Sequence, residues 1–251
     1  MNFGSLTNIF GLIFVVIFLG LMVFFFILSR RYTVLELRKI PAFTRLGRAI
    51  GLAVEDGTRL HLTVGSGSIT GPESASAFVG LSMLRQVTDI TSDSDRPPVA
   101  SAGDAALSIL ARDTLQTAHL EIEAETRFDP GSAVLTGVTP FSYAAGTIPL
   151  LRDENVSTNV LAGSFASEAA LITDASEREN SFSLGGTENI SGQSVLYATA
   201  QEPLIGEELY AGGAYLDAGS MHTASLHAQD AIRIVIIIMI ILGALASLVG
   251  L

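Results

Sequence analysis

The sequence predicts an α/β domain, Rossmann-like or of a related small type, held between an N-terminal and a C-terminal transmembrane helix. Three observations carry that expectation. Uncharged apolar runs stand at both ends, twenty residues at 9–28 and eighteen at 234–251, within the roughly 17–25 residues that cross a bilayer. Six cationic residues crowd the inner flank of the first run, and Arg233 stands at that of the second. Between the runs, strand-like and helix-like hydrophobic patterns alternate, which favours a layered α/β domain over a sandwich.

The first run reads IFGLIFVVIFLGLMVFFFIL. No charged side chain precedes it and no Ala-x-Ala site follows, so it reads as a retained anchor and not a cleaved secretory signal. The next twenty residues, 29–48, hold Arg30, Arg31, Arg38, Lys39, Arg45 and Arg48 against Glu36 alone. An excess of six cations over one acid marks a cytoplasmic flank, with Tyr32 and Phe43 near the interface. The second run begins after Arg233, and its eighteen residues make a helix of roughly 27 Å, just enough to span. Both flanks therefore place the central domain in the cytoplasm and both termini outside. The organisation that follows is an anchor over residues 1–31, a basic juxtamembrane segment over 32–57, a soluble α/β domain over 58–218, and a juxtamembrane helix continuing into the second anchor over 219–251.

Within the domain, RLHLTV at 59–64 reads as a strand that exits into GSGSITG at 65–71. Residues 75–90 then space Phe78, Leu81, Leu84 and Val87 along one helical face. Asp93 to Pro98 break that helix, and a short apolar piece leads through Gly103 into a second helical pattern over 104–120. Residues 132–151 open as strand, turn, and end apolar. Residues 155–161 read as a strand, 166–177 as a helix and 181–186 as a short strand, while 190–201 are ambiguous between strand and helix. From Ser220 a helix runs directly into the second membrane span, a continuity that would fix the domain rigidly against the bilayer.

Composition excludes much chemistry. The absence of cysteine removes disulfides, thiolate catalysis and cysteine-held metal or iron–sulfur sites. Lys39 is the sole lysine, and the four histidines, at 61, 119, 222 and 227, form no zinc motif. Residues 49–232 hold 24 acidic residues against seven arginines, a formal charge of −17, which repels nucleic acid. No cofactor and no metal is implied.

Five candidate sites remain. Gly65, Ser66, Gly67, Ser68 and Gly71 form a glycine-rich turn at a strand–helix junction, the place where backbone N–H groups can converge on an anion. That turn lacks the Gly-Lys-Ser/Thr of a nucleotide-triphosphate loop and the spacing of a dinucleotide fingerprint, and a tight turn explains it equally. Asp89, Asp93 and Asp95 lack the glycine and terminal glutamate of a calcium loop. Glu121, Glu123 and Glu125 alternate as on an exposed strand or loop, while His222, His227 and Asp230 share the juxtamembrane helix. Finally, Gly243 and Ser247, and likewise Ala246 and Gly250, stand four apart in the second anchor, the interval that lets membrane helices approach closely.

The whole chain resembles a domain-of-unknown-function family of bacterial two-pass membrane proteins from green non-sulfur-type bacteria. The likeness rests most on VGSGSITGPESASAFVGLSMLRQV at 64–87 and ASEAALITDASEREN at 166–180. The resemblance implies a bacterial inner-membrane location and supplies no catalytic residue. The function expected is that of a membrane-anchored structural or assembly protein, a homo-oligomer or a scaffold among membrane-complex subunits, with the lipid bilayer as its other partner. The alternative is an anion- or nucleotide-sensing tethered module, and a hydrolytic enzyme ranks third.

Overall fold

The computed structural model of the chain describes residues 3–31, 37–91, 94–121 and 128–249. In chain order its helices and strands are α1 (Phe3–Arg31), α2 (Pro41–Glu55), β1 (Arg59–Gly65), α3 (Ser74–Ile90), β2 (Val99–Ala102), α4 (Ala105–Glu121), β3 (Ala133–Leu135), α5 (Pro140–Asp153), β4 (Val156–Ser164), α6 (Ala169–Arg178), β5 (Phe182–Gly186), α7 (Ile190–Thr199), β6 (Glu202–Leu204), α8 (Gly212–Tyr215) and α9 (Ser220–Val249). They divide into two units, Met1–Lys39 with Gly219–Leu251, and Ile40–Ala218.

The second unit is built on one parallel sheet in the order β3-β2-β1-β4-β5-β6. Every neighbouring pair is parallel, so each connection crosses over a face, and helices cover both. This is the doubly wound, Rossmann-like α/β core that the alternating pattern predicts.

Period-two alternation gives the sheet two unlike faces. Leu60, Leu62 and Val64 of β1, Ala100 and Ala102 of β2, and Val160 and Ala162 of β4 join one apolar cluster with Leu46 and Ile50 of α2, Met83 and Leu84 of α3, and Leu107 and Leu115 of α4. The opposite face carries His61 and Thr63 of β1, Ser101 of β2 and Asn159 of β4, all without exposed surface. Over that face lies a smaller cluster that joins Tyr143 and Leu151 of α5, Ile172 of α6 and Leu196 of α7 with Phe165 of the loop after β4.

Local sequence sets the helix starts. Pro140 stands at the first turn of α5, behind a Thr139–Ser142 capping box. Asn189 caps α7 by accepting from the N–H groups of Ser191 (2.9 Å) and Gly192 (3.2 Å), which decides the ambiguous stretch as helix. Helix α2 occupies part of the cation-rich stretch that follows the first apolar run. Pro41 opens it, and its buried Ala42, Phe43, Leu46, Ile50 and Ala53 follow helical spacing. Helix α3 lies so close on β4 that a Cβ added at Gly80 would stand 2.2 Å from the carbonyl oxygen of Ala162. Glycine is what allows that approach.

The first unit is an apolar helix pair. Helices α1 and α9 are each long and apolar enough to cross a membrane, and standing at opposite ends of the chain they support a two-pass membrane topology. They pack antiparallel: Phe25 of α1 faces His227 of α9, ring centroids 5.8 Å apart, while Phe14, eleven residues earlier, lines a groove with Ile236. Half-buried Phe18, Leu21, Met22, Phe25 and Phe26 form the contact stripe of α1, answered by residues 223–228 and 231–232 of α9. Beyond those positions the pattern ends. Residues 8–17 and 233–245 are all exposed.

Candidate functional site

In the order β3-β2-β1-β4-β5-β6 the direction in which successive strands are added reverses between β1 and β4, and ligands of such folds bind in the crevice beyond the carboxyl ends of those strands. The structure places Gly65, Ser66, Gly67, Ser68 and Gly71 there, in the loop from β1 to α3 beside Ser164 at the end of β4.

The loop is nonetheless closed upon the protein itself. Gly65 has φ +85, and a Cβ on it would meet the Ser164 carbonyl oxygen at 2.6 Å. Five of its seven N–H groups donate internally. Gly65 donates to the Tyr143 hydroxyl at 3.2 Å, Ser66 to the Ser164 carbonyl at 3.1 Å and Gly71 to the Ser68 carbonyl at 3.3 Å, Thr70 to the Ser68 hydroxyl at 3.3 Å, and Ser68 to the Glu73 carboxylate at 3.2 Å. Glu73 also fills the hollow of the turn, since a Cβ at Gly71 would lie 2.6 Å from its Oε1 and one at Gly67 2.7 Å from its Cγ. An anionic ligand would have to displace this carboxylate and overcome its charge. The next loop repeats the device: Glu168, 1% exposed, accepts from the N–H of Ala166 at 3.0 Å just before α6. Both carboxylates bind N–H groups of the loop ahead of the helix, and neither makes a side-chain cap to α3 or α6; their charge still suits the N-terminal end of a helix dipole.

Beneath the loop, on the polar face of the sheet, the side chains of three strands form a continuous hydrogen-bonded row. Asn159 Nδ2 donates to Ser176 Oγ at 2.8 Å, which turns its Oδ1 toward His61 Nδ1 at 2.9 Å and Thr63 Oγ1 at 3.1 Å. The proton of His61 therefore belongs on Nδ1, and Nε2 accepts from Ser101 Oγ at 3.0 Å. The Tyr143 hydroxyl donates to the Ser101 carbonyl at 3.3 Å and receives the Gly65 N–H, joining the row to the loop. Burial lowers the pKa of His61 from 6.5 to about 4, opposed by its bond to Asn159, and burial raises that of Tyr143.

Serine, imidazole and amide in this sequence match the nucleophile, base and orienting group of hydrolytic triads. Access and basicity argue against that use. Ser101, His61 and Asn159 are all 0% exposed, and an imidazole of pKa about 4 is a weak base at neutral pH. The row is a structural element of the core. Its sequence signal lies in RLHLTV, where His61 and Thr63 alternate with Leu60, Leu62 and Val64 on a strand covered on both sides.

The remaining candidates are dispersed. Asp89 pairs with Arg85 of its own helix at 3.0 Å, and Asp93 lies outside the described residues. Glu121 ends α4 and pairs with Arg85, while Glu123 and Glu125 fall outside the described residues. Asp230 pairs with Arg233 at 3.1 Å and not with a histidine. His119 is buried and bonds the Leu115 carbonyl at 2.7 Å. Of the flanking cations, Arg30 and Arg31 close α1, Arg38 and Lys39 are exposed, and Arg45 and Arg48 ride on the outer face of α2, where Arg45 pairs with Glu202. Gly243 and Ser247 are exposed on α9, with no atom within 4 Å of a Cβ built at Gly243; Ala246 is half-buried and Gly250 lies outside the described residues.

The chain belongs to the family described as a domain of unknown function (DUF6754), which it matches from residue 2 to residue 251. No curated protein and no solved structure matches it.

Proposed function

We propose that this member of the DUF6754 family is a membrane-anchored assembly protein, whose copies associate through the outer halves of their anchor helices and so organise a larger membrane complex. One observation carries the reading. Among the described residues the half-buried and buried positions of the pair fall within 18–29 and 223–232, with Ala246 besides, leaving residues 8–17 and 233–245 exposed. Membrane helices associate through close packing, because lipid tails are as apolar as the helices themselves. The exposed part of α9 includes Gly243, with Ser247 four residues on, the small-residue interval that admits a second helix. In this reading the protein lies in a bacterial cell membrane, with its acidic α/β domain in the cytoplasm and both termini outside.

The test is the mass of the complex extracted in mild detergent, with its components identified from the same peak. A discrete homo-oligomer or stable hetero-complex is expected, lost when Gly243→Leu and Ser247→Leu are combined. A clean monomer across several mild detergents overturns the proposal.

One feature favours a second reading as a ligand-sensing module: the Gly65–Gly71 turn stands where the strand order reverses. Substitution of Ser66 or Gly67 would then abolish ligand-induced stabilisation while leaving assembly intact.

A further inference from the structure

We propose that the α/β domains of two copies meet across a two-fold axis, the Phe141 ring of each seated in the cavity between α5 and α6 of the other. The residues from Pro130 to Leu151 include no charged side chain, although about one residue in six is charged over 49–232. What this stretch exposes is mainly apolar. Val138 is 74% exposed, Phe141 61% and Ile148 37%, and with exposed Ala145 they follow helical spacing along one face at α5. Patches of this kind mark interaction surfaces. The face is also rigid. Helix α5 lies so close on the preceding loop that a Cβ at Gly146 would stand 2.1 Å from the Thr136 carbonyl oxygen, which leaves little to be ordered on binding.

Shape and charge make a second copy the occupant. Beside the stripe lies a cavity of about 260 Å³, lined by Ile148, Pro149 and Ala175 and by Arg152, Asp153, Arg178 and Glu179, two charges of each sign. Knob and socket thus stand on one helix, Phe141 seven residues or about 10 Å from Ile148. An isologous contact uses such a pair twice. With the two α5 helices antiparallel, each Phe141 meets the other copy's socket, and the small Ala145 between them meets its own counterpart. An aromatic side chain in a pocket with a polar rim is a common anchor of interfaces. Two domains that each carry a formal −17 over 49–232 repel, and an uncharged stripe beside a neutral socket is where they can touch. A bilayer fits less well, because its anionic headgroups draw Lys and Arg and the stripe has neither. This contact extends the proposed assembly to the soluble domain and rests on copies lying together in the membrane.

The experiment uses the full chain in phosphatidylcholine vesicles. Because the chain has no cysteine, Ala145→Cys introduces a single thiol, and a short bis-maleimide joins two copies only where that thiol meets its counterpart. A covalent dimer is expected from Ala145→Cys and none from Ile109→Cys, which lies on α4 across the sheet and is 59% exposed. Adding Phe141→Ser to Ala145→Cys weakens the contact at least about tenfold and removes the dimer; Phe141 is exposed in the single chain, so the variant folds. Equal dimer from Ile109→Cys, or a dimer that survives Phe141→Ser, overturns the proposal. So does quenching of a fluorophore on Ala145→Cys by brominated lipid without cross-linking, which would give the face to the bilayer. Failure here is separable from failure of the anchor contact. An oligomer in detergent with no Ala145→Cys dimer in vesicles overturns the domain contact alone, and a detergent monomer whose vesicle dimer depends on Phe141 overturns the anchor contact alone.

Discussion

His61 meets the fall from neutral to acidic pH without exposed surface, its ring nitrogens engaged by Asn159 and Ser101. Protonation of Nε2 would make it a donor facing a hydroxyl that now donates to it, and would place a charge in the core. Folding therefore lowers its pKa from 6.5 to about 4. The unfolded chain binds the proton first as pH falls, so stability is complete above pH 6.5, declines through the window down to about 4, and levels off below it. A shift from 6.5 to about 4, at 1.36 kcal/mol per unit, makes the loss about 3 kcal/mol. Chemical denaturation of the detergent-solubilised chain at several pH values across that window, beside His61→Gln, isolates this contribution from that of the carboxylates. The wild type is expected to lose about 3 kcal/mol more than the variant between the two ends. Parallel pH profiles would refute the reasoning, as would a His61 ring proton signal that titrates above about pH 6 in the native protein, a readout that needs no variant.

Three further outcomes follow from the packing. Gly80→Ala pushes a methyl group against the Ala162 carbonyl and is expected to cost about 1–3 kcal/mol, seen as a lower melting temperature; an unaltered melt would deny the close approach of α3 to β4. Tyr143→Phe leaves the Gly65 N–H without its acceptor, a loss of about 1–3 kcal/mol, accompanied by faster amide exchange at Gly65. Glu73→Gln weakens the bond from the Ser68 N–H by about 1 kcal/mol; if the carboxylate excludes anions from the turn, phosphate raises the melting temperature of this variant and not of the wild type.

Long periodic segments were the legible part of the fold. β1, α3, α4 and β4 each show enough turns or alternations to declare their type, and α9 shows its continuity from Ser220. β2 and β3 span only four and three residues, too few to establish a period. α2 had a readable helical spacing in Ala42, Phe43, Leu46 and Ile50, but six nearby cations supplied a sufficient topological explanation for the stretch. The turn at 65–71 was legible as a strand–helix junction. Its closure was not, because Glu73 folding back into the hollow depends on where β4 lies. The buried row was less legible still. His61, Ser101 and Asn159 are 40 and 98 residues apart in sequence, and only the parallel register aligns them.

That row is shared between the two halves of the chain. His61 and Ser101 come from the first β-α-β unit, whereas Asn159 and Ser176 come from the second. While the first half stands alone, as it does when newly synthesised, an imidazole and a hydroxyl face water from the centre of a nascent sheet. Docking of β4 in register supplies Asn159 opposite His61. A slip by one residue would set Val160 or Thr158 there, and Val160 offers the imidazole no acceptor. The polar row thus makes register chemically costly to miss: a misaligned β4 leaves the His61 imidazole without the acceptor that Asn159 provides.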